Sequence, residues 1–143
     1  VNWKDLDFII VDMPPGTGDT QLTFSQEIKM DGAIIVSTPQ EVALLDVKRG
    51  IKMFDKLGVK ILGLVDNMSF FIGDDGKKYK IFGEGGVKKT AEEFQKEFLG
   101  EIPIDPKVGQ SGDIGMPIVE KYPESKISKI FISMAEDIKK IYF

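Results

Sequence analysis

The chain has 143 residues with a formal net charge of −4, no cysteine and no histidine. That length suits a single domain with a sizeable core, and the acidic balance offers no basic surface for nucleic acid or anionic lipid. Disulfides, thiol nucleophiles and His-based catalysis are excluded for this chain, no apolar run reaches the roughly 20 residues that span a bilayer, and no leader-type segment is present, so a cytoplasmic location is the default expectation.

The first predicted element is the run Phe8-Ile9-Ile10-Val11. Its unbroken apolar character predicts a strand buried on both faces. Asp12 ends it, and Pro14-Pro15-Gly16 forbids strand or helix from continuing. A short helix follows over 20–29, with Asp19 as N-cap and Leu22 and Ile28 inward. Ala33-Ile34-Ile35-Val36 reads as a second buried strand. Thr38, Pro39 and Glu41 then make a capping box for a helix to about Leu57, whose Leu44, Val47, Ile51 and Phe54 share a face and which Gly58 stops. Lys60 to Val65 is a third strand, closed by a turn at Asp66-Asn67. Residues 70–82, with Gly73-Asp74-Asp75-Gly76 at the centre, read as a β-hairpin.

Glycines 83, 85 and 86 lead into a helix carrying Val87, Ala91, Phe94 and Phe98. A short strand lies within 100–106, and 107–122 reads as irregular. A closing helix from about Pro123 turns Ile127, Ile130, Phe131, Met134, Ile138 and Ile141 inward. Strands alternating with helices at these spacings predict an α/β fold with a mostly parallel sheet and right-handed crossovers. No repeat or low-complexity tract divides the chain, so 1–143 reads as one domain.

A carboxylate at the end of a buried parallel strand, followed by a glycine loop, stands where open α/β sheets bind ligands. Gly16 and Gly18 would let backbone amides approach an anion. By itself this pattern is equally a strand entering a surface turn with Asp12 and Asp19 capping. The string Asp12-Met13-Pro14-Pro15-Gly16-Thr17-Gly18-Asp19-Thr20-Gln21-Leu22-Thr23 is more specific. It closely resembles the Walker B and switch II segment of the Mrp-type (ApbC-like) ATPases, iron–sulfur carriers related to ParA and MinD. Thr38 to Asp46, Asn67-Met68-Ser69, Phe82 to Gly86, and Pro103 to Asp105 also match that family, so the resemblance covers almost the whole chain.

The resemblance implies the carboxyl-terminal part of a Rossmann-like, three-layer P-loop NTPase domain that hydrolyses ATP with Mg²⁺. It implies that Asp12 is the catalytic acid ordering Mg²⁺ through water, and that Gly16 and Gly18 sense the γ-phosphate. Asn67, with Pro103 and Asp105 near the base, would read adenine. A homodimer and apo iron–sulfur client proteins are the implied partners, with neither nucleic acid nor membrane.

Two departures qualify these expectations. No G-x-x-x-x-G-K-[ST] string is present. The lookalike Glu84-Gly85-Gly86-Val87-Lys88-Lys89-Thr90 puts Lys88 where backbone must close on phosphate. This chain alone is therefore expected to be inactive. The family's C-x-x-C pair falls on Gly73 and Gly76, which have no ligand atoms, and aspartate oxygens are poor substitutes for thiolate at an Fe–S centre. No iron–sulfur ligand is therefore assigned. A partner-regulated ParA/MinD-like switch needs no cysteine and is the alternative reading; a non-catalytic assembly module is the third. The basic residues of the closing helix are offset by Glu124, Glu136 and Asp137, so that helix reads as core packing and not as a membrane anchor.

Overall fold

A computed structural model describes residues 2–142. Its sheet is built on β2 (Ile61–Ile72), flanked in parallel by β1 (Ala33–Ser37) on one side and β4 (Phe98–Ile104) on the other. A two-residue strand, β3 (Lys78–Tyr79), pairs antiparallel with 71–72 and closes the hairpin. The helices are α1 (Asp19–Glu27), α2 (Glu41–Leu57), α3 (Gly86–Glu93), α4 (Pro106–Asp113), α5 (Ile118–Lys121) and α6 (Lys126–Tyr142). The mixed α/β architecture with a mostly parallel sheet is the one expected from the alternating pattern.

Helices cover the sheet unequally. On one face, Val47, Ile51 and Phe54 of α2 and Val87 and Ala91 of α3 bury Ile61 and Leu64. Ile51, Leu64 and Val87 are completely excluded from solvent, and removing any of them would cost both its transfer energy and a cavity. On the other face a smaller cluster joins Val65 and Ile102 to Met134 of α6. Ser125 accepts a hydrogen bond from the amide of Ser128 and so caps α6. The buried Ser128 hydroxyl lies 2.6 Å from the Tyr122 carbonyl and 3.1 Å from that of Ile118, tying the helix to the turn before it.

Several elements differ from the expectation. Residues 8–11 form no strand, and Ile9, Ile10 and Val11 are exposed, Ile10 to 93%. A continuous apolar run becomes a buried strand only where neighbouring backbone and two packing faces receive it. Next to α1, Asp19 is the first helical residue and Gly18 the N-cap; Gln21 and Ser25, not Leu22 and Ile28, are the buried positions. The cap of α2 is Gln40, with no side-chain capping bond.

The strand β2 runs on through Asn67 to Ile72 because β4 offers it a ladder on that side. The expected turn survives only as an irregularity in register between Asn67 and Phe71, with Met68 at φ 54°. Phe98 belongs to β4, since α3 stops at Glu93. The stretch thought irregular contains α4 and α5. Asp105 caps α4, its side chain accepting from the Lys107 amide, and Pro106 takes the first helical position. That start signal was present in the sequence but was outweighed by the two glycines that follow.

Candidate functional site

The Asp12–Gly18 segment is held from below. Gln21, 5% exposed on α1, donates from Nε2 to the carbonyls of Pro14 (2.6 Å) and Pro15 (2.7 Å). Met13 packs against the α2/α3 core cluster. The Asp12 carboxyl is exposed just ahead of an anchored methionine and a pinned proline pair. Gly16 has φ +95° and open space where a Cβ would stand, and Gly18 begins α1 without a capping side chain. Chemically the loop offers a hard oxygen donor beside unobstructed backbone.

Asn67, Pro103 and Asp105 come together through strand register. Asn67 lies opposite Ile102 in the parallel ladder, which sets it beside Pro103, and Asp105 follows at the exit of β4. Local backbone claims an oxygen of each polar side chain: Asn67 Oδ1 accepts from the Met68 amide at 3.0 Å, and Asp105 Oδ1 from the Lys107 amide at 2.8 Å. No hydrogen bond or ion pair joins this group to the Asp12 loop among the described residues.

Asp66 is the residue that sequence reasoning passed over. It is 1% exposed, aligned in the sheet with Ser37 on β1 and Glu101 on β4, and its Oδ1 has no hydrogen-bond partner among the described residues. Burial, reinforced by the Glu101 charge, pushes its carboxyl up to about 6. The available signal was its place in the chain: an acid directly after an unbroken apolar run, Ile61 to Val65.

The glycine loop at 83–86 is a packing device. A Cβ on Gly86 would stand 2.6 Å from Leu44 Cδ1 and 2.9 Å from the Pro39 carbonyl oxygen, so only glycine lets α3 start against the turn after β1. Gly86→Ala should therefore destabilise the fold by about 1–3 kcal/mol, read as a lowered urea midpoint; an unchanged midpoint would mean the loop is free to shift. At the hairpin tip, Asp75 accepts from the Lys77 amide (3.0 Å) and the Tyr79 hydroxyl (2.8 Å). Those bonds hold its carboxyl below the usual range. The aspartate thus builds the turn. Neither Gly73 nor Gly76 can ligate iron, so this hairpin does not fit an iron–sulfur cluster.

A mostly parallel α/β fold with an exposed acidic glycine loop ahead of α1 defines the class. A family profile, ParA: NUBPL iron-transfer P-loop NTPase, matches residues 1–139, and the chain belongs to that family. It is 49% identical over 140 residues to the iron-sulfur cluster carrier protein of Synechocystis, covering 96% of this chain and 40% of the relative. Among solved structures, the ADP complex of a nucleotide-binding protein from Archaeoglobus fulgidus is 41% identical with a TM-score of 0.67, over 77% of this chain and 45% of that one. The cell division ATPase MinD of Pyrococcus furiosus superposes with a TM-score of 0.71 at 27% identity, over 96% of this chain and 54% of MinD. The chain spans less than half the length of the curated relatives it matches.

Proposed function

We propose that this chain is the carboxyl-terminal portion of an ATP-hydrolysing P-loop domain serving iron–sulfur cluster assembly or transfer. The observation that carries the reading is the family match across residues 1–139, together with an exposed Asp12 at the head of a pinned glycine loop. In this reading Asp12 would hold Mg²⁺ through water, and the ion would supply neutralising charge for the nucleotide phosphates. Gly16 and Gly18 present backbone amides to the γ-phosphate, and loss of that contact frees the loop. Asn67 reads the purine edge, its Nδ2 serving as donor while Oδ1 stays with its own turn. Pro103 and Asp105 shape the wall beside it. The chain by itself is read as inactive. The assembled protein is read as a cytoplasmic homodimer whose clients are apo iron–sulfur proteins.

Whether a cluster is carried is a separate matter. This chain supplies no cysteine, which favours the second reading, a partner-regulated ATPase switch, over cluster carriage through the 70–82 hairpin. Asp12→Asn, introduced into the protein assembled with its P-loop portion, tests the shared core of both. It should cut hydrolysis at saturating Mg²⁺ by on the order of 10²-fold, the scale for losing one electrostatic stabiliser, with the circular dichroism unaltered. Unchanged turnover would rule Asp12 out as the Mg²⁺-ordering acid.

A further inference from the structure

The eight residues of α4 are built to hold together weakly. Gly109 and Gly112 lie inside the helix, yet neither has a positive φ, and nothing stands within 4 Å of where a Cβ would sit. Each glycine therefore weakens the helix about fivefold relative to alanine without serving a turn or a close approach. The residue that α4 buries is Ser111, whose hydroxyl has no hydrogen-bond partner among the described residues, so burial adds little apolar stabilisation. Ile114 and Met116, just past its end, are exposed. Both flanks are fixed. Ile104 is paired with Phe71 in the sheet, and Ile118 is buried with its carbonyl accepting from the Ser128 hydroxyl. A stretch with few buried apolar contacts between fixed ends opens by itself while the rest of the fold stays closed.

What starts this helix is Asp105. It is held extended, at φ −139° and ψ 122°, with Oδ1 accepting from the Lys107 amide at 2.8 Å. A helix of two turns depends on its nucleus, because fixing the first turn is the unfavourable step, and a capping carboxylate shifts that step severalfold. The same residue closes the wall that strand register sets beside Asn67, two positions after Pro103. The cap of α4 and the wall of the base site are thus one residue. We propose that α4 is a nucleotide-responsive strap: a purine held between Asn67 and the Pro103–Asp105 wall fixes the Asp105 cap and closes α4, and an empty site lets 106–117 open between its two prolines. The proposal rests on the base-site reading of Asn67, Pro103 and Asp105 and adds a regulated element to it. Linkage makes the effect reciprocal, so whatever holds α4 closed also favours the bound nucleotide.

The test is amide exchange at 110–113 in the protein assembled with its P-loop portion, with and without ADP, binding being followed separately by calorimetry. Without nucleotide these amides should exchange at least tenfold faster than those of α2, and saturating ADP should slow them at least tenfold. Gly109→Ala with Gly112→Ala should slow them about twentyfold in the absence of ADP, the product of two helix-interior replacements, with α2 unchanged. Asp105→Ala should speed them and remove most of the response to ADP, whereas Asp105→Asn, which still caps, should restore both. Amides at 110–113 as protected as those of α2 without nucleotide would overturn the proposal. Bound ADP that leaves their exchange unchanged or faster would do the same, as would an Asp105→Ala protein that binds ADP and responds like the parent. The two readings fail separately: ADP that does not bind the assembled protein sinks the base-site reading and this proposal with it, while ADP that binds without moving α4 sinks the proposal alone.

Discussion

Asp66→Asn should make this protein more stable at neutral pH, by about 1–3 kcal/mol. The upper end follows from a carboxyl pushed up to about 6 from an ordinary 3.8, at 1.36 kcal/mol per unit. Burial is the main cause and the nearby Glu101 charge the lesser one. Because the folded state holds this proton more tightly than the unfolded chain, stability falls as pH rises from about 4 to about 6 and then stays low. At pH 7 the fold therefore carries a buried carboxylate whose Oδ1 has no hydrogen-bond partner among the described residues. The amide keeps the shape and removes the charge. The measurement is the urea midpoint of both proteins from pH 4 to pH 7.5. The two profiles should converge near pH 4 and separate by pH 6.5, and profiles parallel throughout would mean that Asp66 is solvated or paired.

Retaining an acid at such a cost in mid-strand, on the residue before Asn67, fits a position held for function and not for stability, the trade that functional sites commonly make. It also shows where sequence reading reaches its limit. The β1 and α2 segments were legible because periodicity and the Gly58 stop agreed with the tertiary contacts the helix finally made, with Val47, Ile51 and Phe54 all buried, although Gln40 and not the expected capping box starts the helix. Asp66 was misread because a local signal, an Asx-type turn after an apolar run, lost to a ladder with β4 that no local pattern announces. Residues 8–11 failed for the opposite reason. Their composition reports a burial that depends on backbone beyond their own pairing range, and Ile10 stands 93% exposed. Within the candidate site, residue types were readable at Asp12, Asn67 and Asp105. That Gln21 pins the Pro14 and Pro15 carbonyls was not, since a helical glutamine carries no such signal.

Neither this chain nor the protein assembled around it should hold an iron–sulfur cluster through the 70–82 hairpin, because such clusters need thiolates and the hairpin has none. Dimerisation cannot supply them, since each copy brings only Gly73 and Gly76 to the position. The structure also says what restoring the ligands would cost. Gly76 sits at φ +76°, where a side chain strains the backbone by roughly 1 kcal/mol. A Cβ on Gly73 would come within 2.7 Å of Tyr79 Cε2 and 2.9 Å of Asp75 Oδ1. Both are side-chain atoms, so the clash can relax, but only by loosening the Tyr79–Asp75 hydrogen bond that shapes the turn. Gly73→Cys with Gly76→Cys should therefore lower stability by about 1–3 kcal/mol. In the dimer proposed for the assembled protein it should gain iron on anaerobic reconstitution, read by iron counting and visible absorption. Stoichiometric iron in the unmodified protein would overturn the claim. Iron bound by the double variant alone would show a hairpin whose backbone follows the carrier path and whose ligands are missing.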